Sequence, residues 1–353
     1  MKTKFALIIA VFLLVYSCKK DNDSSSANPS ATPYAMDIPP GFPPMIVPAD
    51  NPLTVEGIEL GHHLFFDPIM SSNGMSCSSC HNVDKAYASP YHINLTGDTV
   101  SVMSLVNLGF EHHFTWTGRI STTEDVCMGD FEPEFFNTNM DTLRSRLSNS
   151  VKYKNMFMRA WGDNNFGAMS DDNLKHKIVK AIGQYLRSMV SYNSRFDQYR
   201  RHEIMLTPNE LNGMTIFYTE QGDCFHCHDF PFMTSLAVTN NGLDSIPAGY
   251  DRGLFNFTGL PGDDGKFLVP TLRNIELTPP YMHDGRFKTL EEVVEFYNSG
   301  VHQTSPNIDP IMTKAAKKYG LQLTPYEKQC LVDFLKTFTD TSFINNPSYQ
   351  APH

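Results

Sequence analysis

Positive charge is scarce in this chain of 353 residues: 28 Lys and Arg stand against 38 Asp and Glu, for a net charge of −10. That balance argues against a nucleic-acid partner. An acidic surface would suit a basic electron donor, but it singles out none. Catalytic triads and phosphate-binding loops are missing. Long hydrophobic runs are short supply too: the apolar stretch from Phe5 to Tyr16 is too short for a comfortable transmembrane helix. With Lys2 and Lys4 before it, it reads as an export signal. Val15-Tyr16-Ser17-Cys18 resembles a lipobox, which makes Cys18 a lipid-bearing residue; an ordinary cleaved signal is the alternative. Residues 1–18 are therefore assigned as a lipoprotein signal peptide, and the polar stretch 19–46 as a flexible tether. The expected location is the periplasm, or the outer membrane facing the periplasm or cell surface.

Cysteine is sparse, and its seven occurrences divide by position. Four lie in two C-x-x-C-H motifs, Cys77-Ser78-Ser79-Cys80-His81 and Cys224-Phe225-His226-Cys227-His228. This is the attachment signature of c-type haem. Two thiols bond the vinyl groups, and the adjacent His becomes the proximal iron ligand. Two covalent haems follow, with iron on His81 and His228. A zinc site is the alternative, and it needs four ligands closing one tetrahedron. Cys127 and Cys330 remain, as a disulfide or as buried thiols.

The chain reads as a diverged duplication. Thr54 opens a helical pattern through Leu60, Leu64 and Phe65, and the first motif follows. Thr207-Pro208 opens another through Leu211, Met214 and Phe217 before the second. An amphipathic helix closes each half: about 172–189, with Ile178, Ile182, Tyr185 and Leu186 on one face, and about 325–338, with Leu331, Phe334 and Leu335. Between them the chain is rich in loop-forming residues. The expected fold class is mainly α, with two cytochrome-c-like haem domains and long loops. The N-terminal haem domain spans 47–200, the C-terminal haem domain 201–345, and 346–353 form a tail.

Several stretches resemble the bacterial dihaem cytochrome c peroxidase family, including its methylamine-utilisation branch, which oxidises proteins. They are Leu60 to Asp67, Asn107 to Arg119 with its Trp116-Thr117-Gly118-Arg119 end, Leu186 to Ser191 with Asn193 to Asp197, Val269 to Asn274, and Pro280-Tyr281-Met282-His283-Asp284-Gly285. The resemblance implies an oxidoreductase that reduces hydrogen peroxide to water at the N-terminal haem. Electrons come from a small cytochrome c or cupredoxin through the C-terminal haem. It implies Trp116 as the bridge between haems, and Tyr297 as the second iron ligand of the C-terminal haem, where peroxidases carry Met. Met312 is the other candidate there. A Tyr ligand would suit the protein-modifying oxidase, whose partner is a protein substrate. A non-catalytic electron-transfer cytochrome is the third reading.

The resemblance also places His92 near a departing ligand of the first haem iron, a surface loop His being the alternative. The family's acid–base Glu falls on Phe135 or Phe136, and Glu134 is the nearest carboxylate. A calcium ion on the carbonyls of Thr278 and Pro280, near Ser101, is implied as well. Arg273 and the Asp251-Arg252-Gly253 stretch are candidates for haem propionates, and His113 and Arg119 for the haem edge. Of His62-His63 and His112-His113, each pair supplies at most one functional side chain. A homodimer is a further expectation.

Overall fold

A computed structural model describes residues 28, 30–93 and 99–352. In the first half, α1 (Val55–Phe66) is capped by Thr54, whose hydroxyl accepts from the Gly57 N–H at 3.0 Å. The first motif forms the short α2 (Cys77–Cys80). Helices α3 (Thr123–Gly129), α4 (Met140–Asn149) and α5 (Val151–Trp161) follow, and α6 (Asp171–Ser188) closes the half. Helix α7 (Arg195–Arg200) leads out of it. The second half begins with α8 (Pro208–Phe217), where Thr207 and Glu210 form a capping box and Pro208 occupies the first turn. The second motif lies in a 3-10 turn, Cys224–His226. Helices α9 (Phe255–Thr258), α10 (Leu290–Glu295), α11 (Pro325–Lys336) and α12 (Thr341–Ile344) complete it. Strands among the described residues form two antiparallel pairs: β1 (Ser89–Ile93) with β2 (Thr99–Val102), and β3 (Val238–Thr239) with β4 (Phe267–Leu268). The fold class is mainly α, as the sequence implied.

One glycine in each half explains how its helix pair closes. A Cβ on Gly61 of α1 would overlap the Ala181 carbonyl of α6 and lie 2.9 Å from the Tyr185 Cβ. A Cβ on Gly213 of α8 would overlap the Cys330 carbonyl of α11 and lie 2.7 Å from the Phe334 Cβ. Backbones therefore touch at matching places, which is the duplication expressed in packing. Two apolar clusters result. Leu60, Leu64, Phe65, Ile178, Ile182 and Tyr185 belong to the first, and Phe217, Leu331, Phe334, Leu335 and Phe338 to the second. Cys127 lies buried in the first cluster, and Cys330 is buried on α11; both are free thiols, so the disulfide is not formed.

Two terminal segments differ from their sequence assignments. Residues 30–46, read as part of a flexible tether, dock on the body. Tyr34 N–H donates to the Leu53 carbonyl, and Ile46 N–H to that of Gly109. Phe42 packs edge-on against Phe110 of the first half (5.4 Å between centroids) and Phe232 of the second (5.0 Å). Burying this apolar face outweighs the polar composition around it. Residues 346–352, read as tail, fold back on the first half. Phe343 joins the first cluster, Tyr349 Oη donates to the Ser188 carbonyl at 2.8 Å, and the Gln350 carbonyl meets His62 Nε2 at 2.6 Å. The Asp340 carboxylate just before them accepts from Ser191 Oγ and from the Tyr192 and Asn193 N–H groups, at 2.9–3.0 Å. The chain end thereby pins the link between halves. Cys18 and the export signal lie outside the described residues; among those described, no helix is long and apolar enough to cross a membrane.

Candidate haem sites

Both motif histidines are prepared as metal ligands in the same way. His81 Nδ1 lies 2.8 Å from the Tyr87 carbonyl, and His228 Nδ1 lies 3.0 Å from the Met233 carbonyl. A carbonyl only accepts, so Nδ1 carries the proton and the Nε2 lone pair is left for iron. Burial pushes both imidazoles down, His228 to about 4, which keeps them neutral as ligation requires. Burial also pushes the Cys224 thiol up to about 12 and raises those of Cys77, Cys80 and Cys227. All six motif residues line one cavity of about 730 Å³ that runs between the halves. Its wall includes Phe65, Leu186, Leu268 and Leu335, an apolar surface suited to a porphyrin. The four-ligand zinc alternative finds no support: among the described residues, the clusters able to hold a metal are Glu220/Asp223/His226 and Asp251/His283/Asp284, and neither contains a motif Cys. The donors, their tautomers and the cavity fit two covalently attached haems.

Trp116 stands where the halves meet. Its indole Nε1 donates to the Ser101 carbonyl of β2 at 2.6 Å, and its own carbonyl accepts from Leu268 N–H of β4 at 2.7 Å. Its ring sits edge-on to His283 at 6.3 Å. His283 in turn stacks on Phe267 at 3.7 Å and contacts the Asp251 carboxylate through Nε2 at 2.8 Å, which holds Asp251 below the usual carboxylate range. Tyr297 lies in a single π-turn, Phe296–Gly300, that continues α10. Such a bulge re-aims one side chain within a helix. The Tyr297 phenol faces the cavity, accepts from Asn241 Nδ2 at 3.1 Å, and is pushed up to about 12 by burial. The nearby Cys227 and Cys224 push in the same direction, which places it at the second motif. Met312 lines the same cavity.

The remaining sequence candidates divide. Arg273 lines the cavity, but its guanidinium is held in a bidentate pair with buried Asp197 at 2.8 and 2.9 Å, and Nε donates to the Pro231 carbonyl at 2.7 Å. Arg252 is paired with Asp264 at 2.8 Å. His113 and Arg119 line the cavity; His113 Nδ1 meets the Gly118 carbonyl at 2.8 Å, and Arg119 lies over the Phe257 ring. His92 belongs to β1, and its side chain lies outside the described residues. Glu134 is not among the residues lining the cavity, whereas its neighbours Phe135 and Phe136 are. Thr278, Pro280 and Ser101 come together on the wall, with Ser101 Oγ donating to the Pro280 carbonyl at 3.5 Å. Sequence reasoning missed Asn241, the partner of Tyr297, and two cavity carboxyls, Glu111 and Asp130. Burial pushes these up to about 8 and about 7.

Fold and site together define a two-domain protein built to hold a pair of c-type haems across one shared cavity. The family model described as di-haem cytochrome c peroxidase matches residues 55–204. Cytochrome c551 peroxidase of Nitrosomonas europaea is 30% identical over 70% of this chain and 75% of its own length. Methylamine utilization protein MauG of Methylophilus methylotrophus is 27% identical over 82% of this chain and 84% of its own. The crystal structure of a MauG-like protein associated with microbial copper homeostasis superposes with a TM-score of 0.78 at 31% identity, covering 90% of this chain and 99% of that one. The chain belongs to the di-haem cytochrome c peroxidase family. It is an oxidoreductase of the peroxidase or haem-oxidase kind.

Proposed function

We propose that this enzyme reduces hydrogen peroxide to water at the first haem, with electrons from a small cytochrome c or cupredoxin entering at the second. The observation that carries the reading is Trp116, which lines the cavity shared by both motifs and is bonded to each half. When bound, the haem irons supply the two-electron redox chemistry. The protein's own part is to hold and orient. His81 and His228 present Nε2 through their carbonyl partners. Trp116 is fixed by Ser101 and His283 as the crossing point. His92 is the departing ligand of the first site, whereas Glu134, the nearest carboxylate by sequence, does not line the cavity and has no catalytic part. Arg273 keeps two N–H donors beyond those held by Asp197 and Pro231, and these reach a propionate. A calcium ion is held on the Thr278 and Pro280 carbonyls beside Ser101, oxygen donors of the kind a hard cation takes. Cys18 anchors the exported enzyme by lipid in the periplasm or at the cell surface, and the enzyme pairs as a homodimer.

Tyr297 favours a second reading, a protein-modifying oxidase in which this phenol ligates the second iron. One experiment separates the two. Holoprotein is mixed with peroxide and either reduced cytochrome c or reduced cupredoxin, and donor oxidation is followed. Steady turnover with two donors oxidised per peroxide is the expected result. Peroxide consumption without donor turnover would sink the peroxidase reading and favour the oxidase.

A further inference from the structure

We propose that Asp130 is the acid–base group at the first haem site, taking a proton from the peroxide oxygen nearer the iron and delivering it to the farther one. The assignment rests on the peroxide reading above and deepens it. Cleaving an O–O bond heterolytically needs such a proton carrier within hydrogen-bond reach. Glu134 does not line the cavity, and the side chains that do so beside it, Phe135 and Phe136, cannot carry a proton.

Asp130 stands on that same wall for a local reason. It caps the C-terminus of α3, its N–H bonding the Cys127 carbonyl at 3.2 Å, and its own carbonyl accepts from Phe136 N–H at 3.0 Å. The second bond closes the loop 131–135 and sets Asp130 beside Phe136. The carboxyl faces the cavity and has no hydrogen-bond or ion-pair partner among the described residues. It bears on the thiols of Cys77, Cys80 and Cys127 and raises all three, so it lies at the first motif rather than the second. Burial alone brings it to about 7, where it can both hold and release a proton. A half-buried carboxyl without a partner on a largely apolar wall is destabilising unless it has a use. Glu111, the other unpaired cavity carboxyl, follows Phe110, which stacks on Phe232 of the second half at 5.0 Å, and it does not bear on the first-motif thiols.

The balance is simple. One hydrogen peroxide, two electrons and two protons give two waters. Asp130 moves a proton from the near to the far oxygen, which departs as water with the electron pair of the broken O–O bond. The two electrons would be supplied by the haem pair that the motif residues hold, and restored by the donor or protein substrate. Among the described residues, the titratable and charged groups near Asp130 include Cys127 on its own helix, Asp125 of that helix on the same cavity wall and, behind Cys127, the Glu124–Arg187 ion pair. Cys77 and Cys80 no longer titrate once they are thioethers.

The test is the second-order rate of peroxide consumption, followed from pH 5 to 9 on holoprotein with two haems confirmed per chain. Asp130→Asn should slow it on the order of 100-fold or more, and Asp130→Glu should recover most of the loss. The parent rate should fall as pH drops below about 7, and Glu134→Gln should leave the rate unchanged. If Asp130→Asn reacts within a few-fold of the parent, or Glu134→Gln loses the rate instead, the assignment is overturned. If Asp130→Asn fails to load haem, the parent profile decides, a flat profile overturning the assignment. A parent that leaves peroxide untouched overturns the peroxide reading, and the assignment with it.

Discussion

Replacing Tyr297 with Phe should raise the reduction potential of the second haem and remove its dependence on pH. The phenol lies in the cavity at the second motif, accepts one hydrogen bond from Asn241 Nδ2 at 3.1 Å, and is pushed up to about 12 by burial. At pH 7 it is therefore protonated. Releasing the proton to become an anionic ligand is about five pH units uphill, or roughly 7 kcal/mol at about 1.36 kcal/mol per unit. That figure is an upper estimate, because the Cys224 and Cys227 thiols that add to the shift become thioethers in the holoprotein. Ferric iron offsets such a penalty by binding a hard anion, and ferrous iron offsets far less of it. Reduction should return one proton to Tyr297 for each electron. The potential then falls by about 59 mV per pH unit, the value of a tenfold change for one electron, or about 180 mV between pH 6 and 9. Tyr297→Phe has no proton to exchange and no anion to stabilise ferric iron, so its potential should be flat and higher throughout. Spectroelectrochemical titration of the holoprotein reads both quantities. A parent potential independent of pH, or a variant with the parental slope and spectrum, would refute the reasoning and leave Met312 as the ligand.

Three further outcomes follow from the packing. Gly213→Ala should lower stability by about 1–3 kcal/mol or more through forced separation of α8 and α11, read as a fall in Tm, while Gly262→Ala, which meets nothing within 4 Å, should change little. Arg273→Ala strands the Asp197 carboxylate, whose partner is 2% exposed, and should destabilise by about 3–5 kcal/mol by chemical denaturation. Asp197 is held below its ordinary value, with burial opposing and Arg273 driving the drop. Its stabilising contribution is therefore complete above about pH 4 and lost as pH falls through the folded value, and Arg273→Ala should flatten that acid limb. Trp116→Phe keeps an aromatic ring but loses the Nε1 bond to Ser101. Donor oxidation by peroxide should slow at least tenfold with both haem spectra intact, and parental turnover would remove Trp116 from the electron path.

Much of this arrangement was legible in local sequence. Thr54, and Thr207 with Pro208, announce helix starts because caps act within one turn. The two C-x-x-C-H motifs fix six cavity residues through covalent chemistry alone. The face carrying Ile178, Ile182 and Tyr185 follows from helical period. What stayed hidden depends on distant partners. Arg273 reads as a propionate ligand alone, and nothing local shows that Asp197, 76 residues away, holds part of the same guanidinium. Phe42 gives no sign of wedging between Phe110 and Phe232 from inside a Pro- and Gly-rich stretch. The C-terminal residues are polar enough to read as tail, yet Tyr349 reaches the Ser188 carbonyl. Asp130 was missed for another reason: a single acidic residue after a short helix is ordinary, and only the cavity beside it makes it a candidate.

The most direct measurement of the central claim adds one equivalent of hydrogen peroxide to holoprotein, in the diferric and half-reduced forms, and follows absorption and electron paramagnetic resonance. The account predicts that peroxide is consumed with two electrons withdrawn per molecule, and that the signals change at both haems although only one site meets the oxidant. Haem spectra left unchanged by peroxide in either form would contradict it and leave an electron-transfer cytochrome.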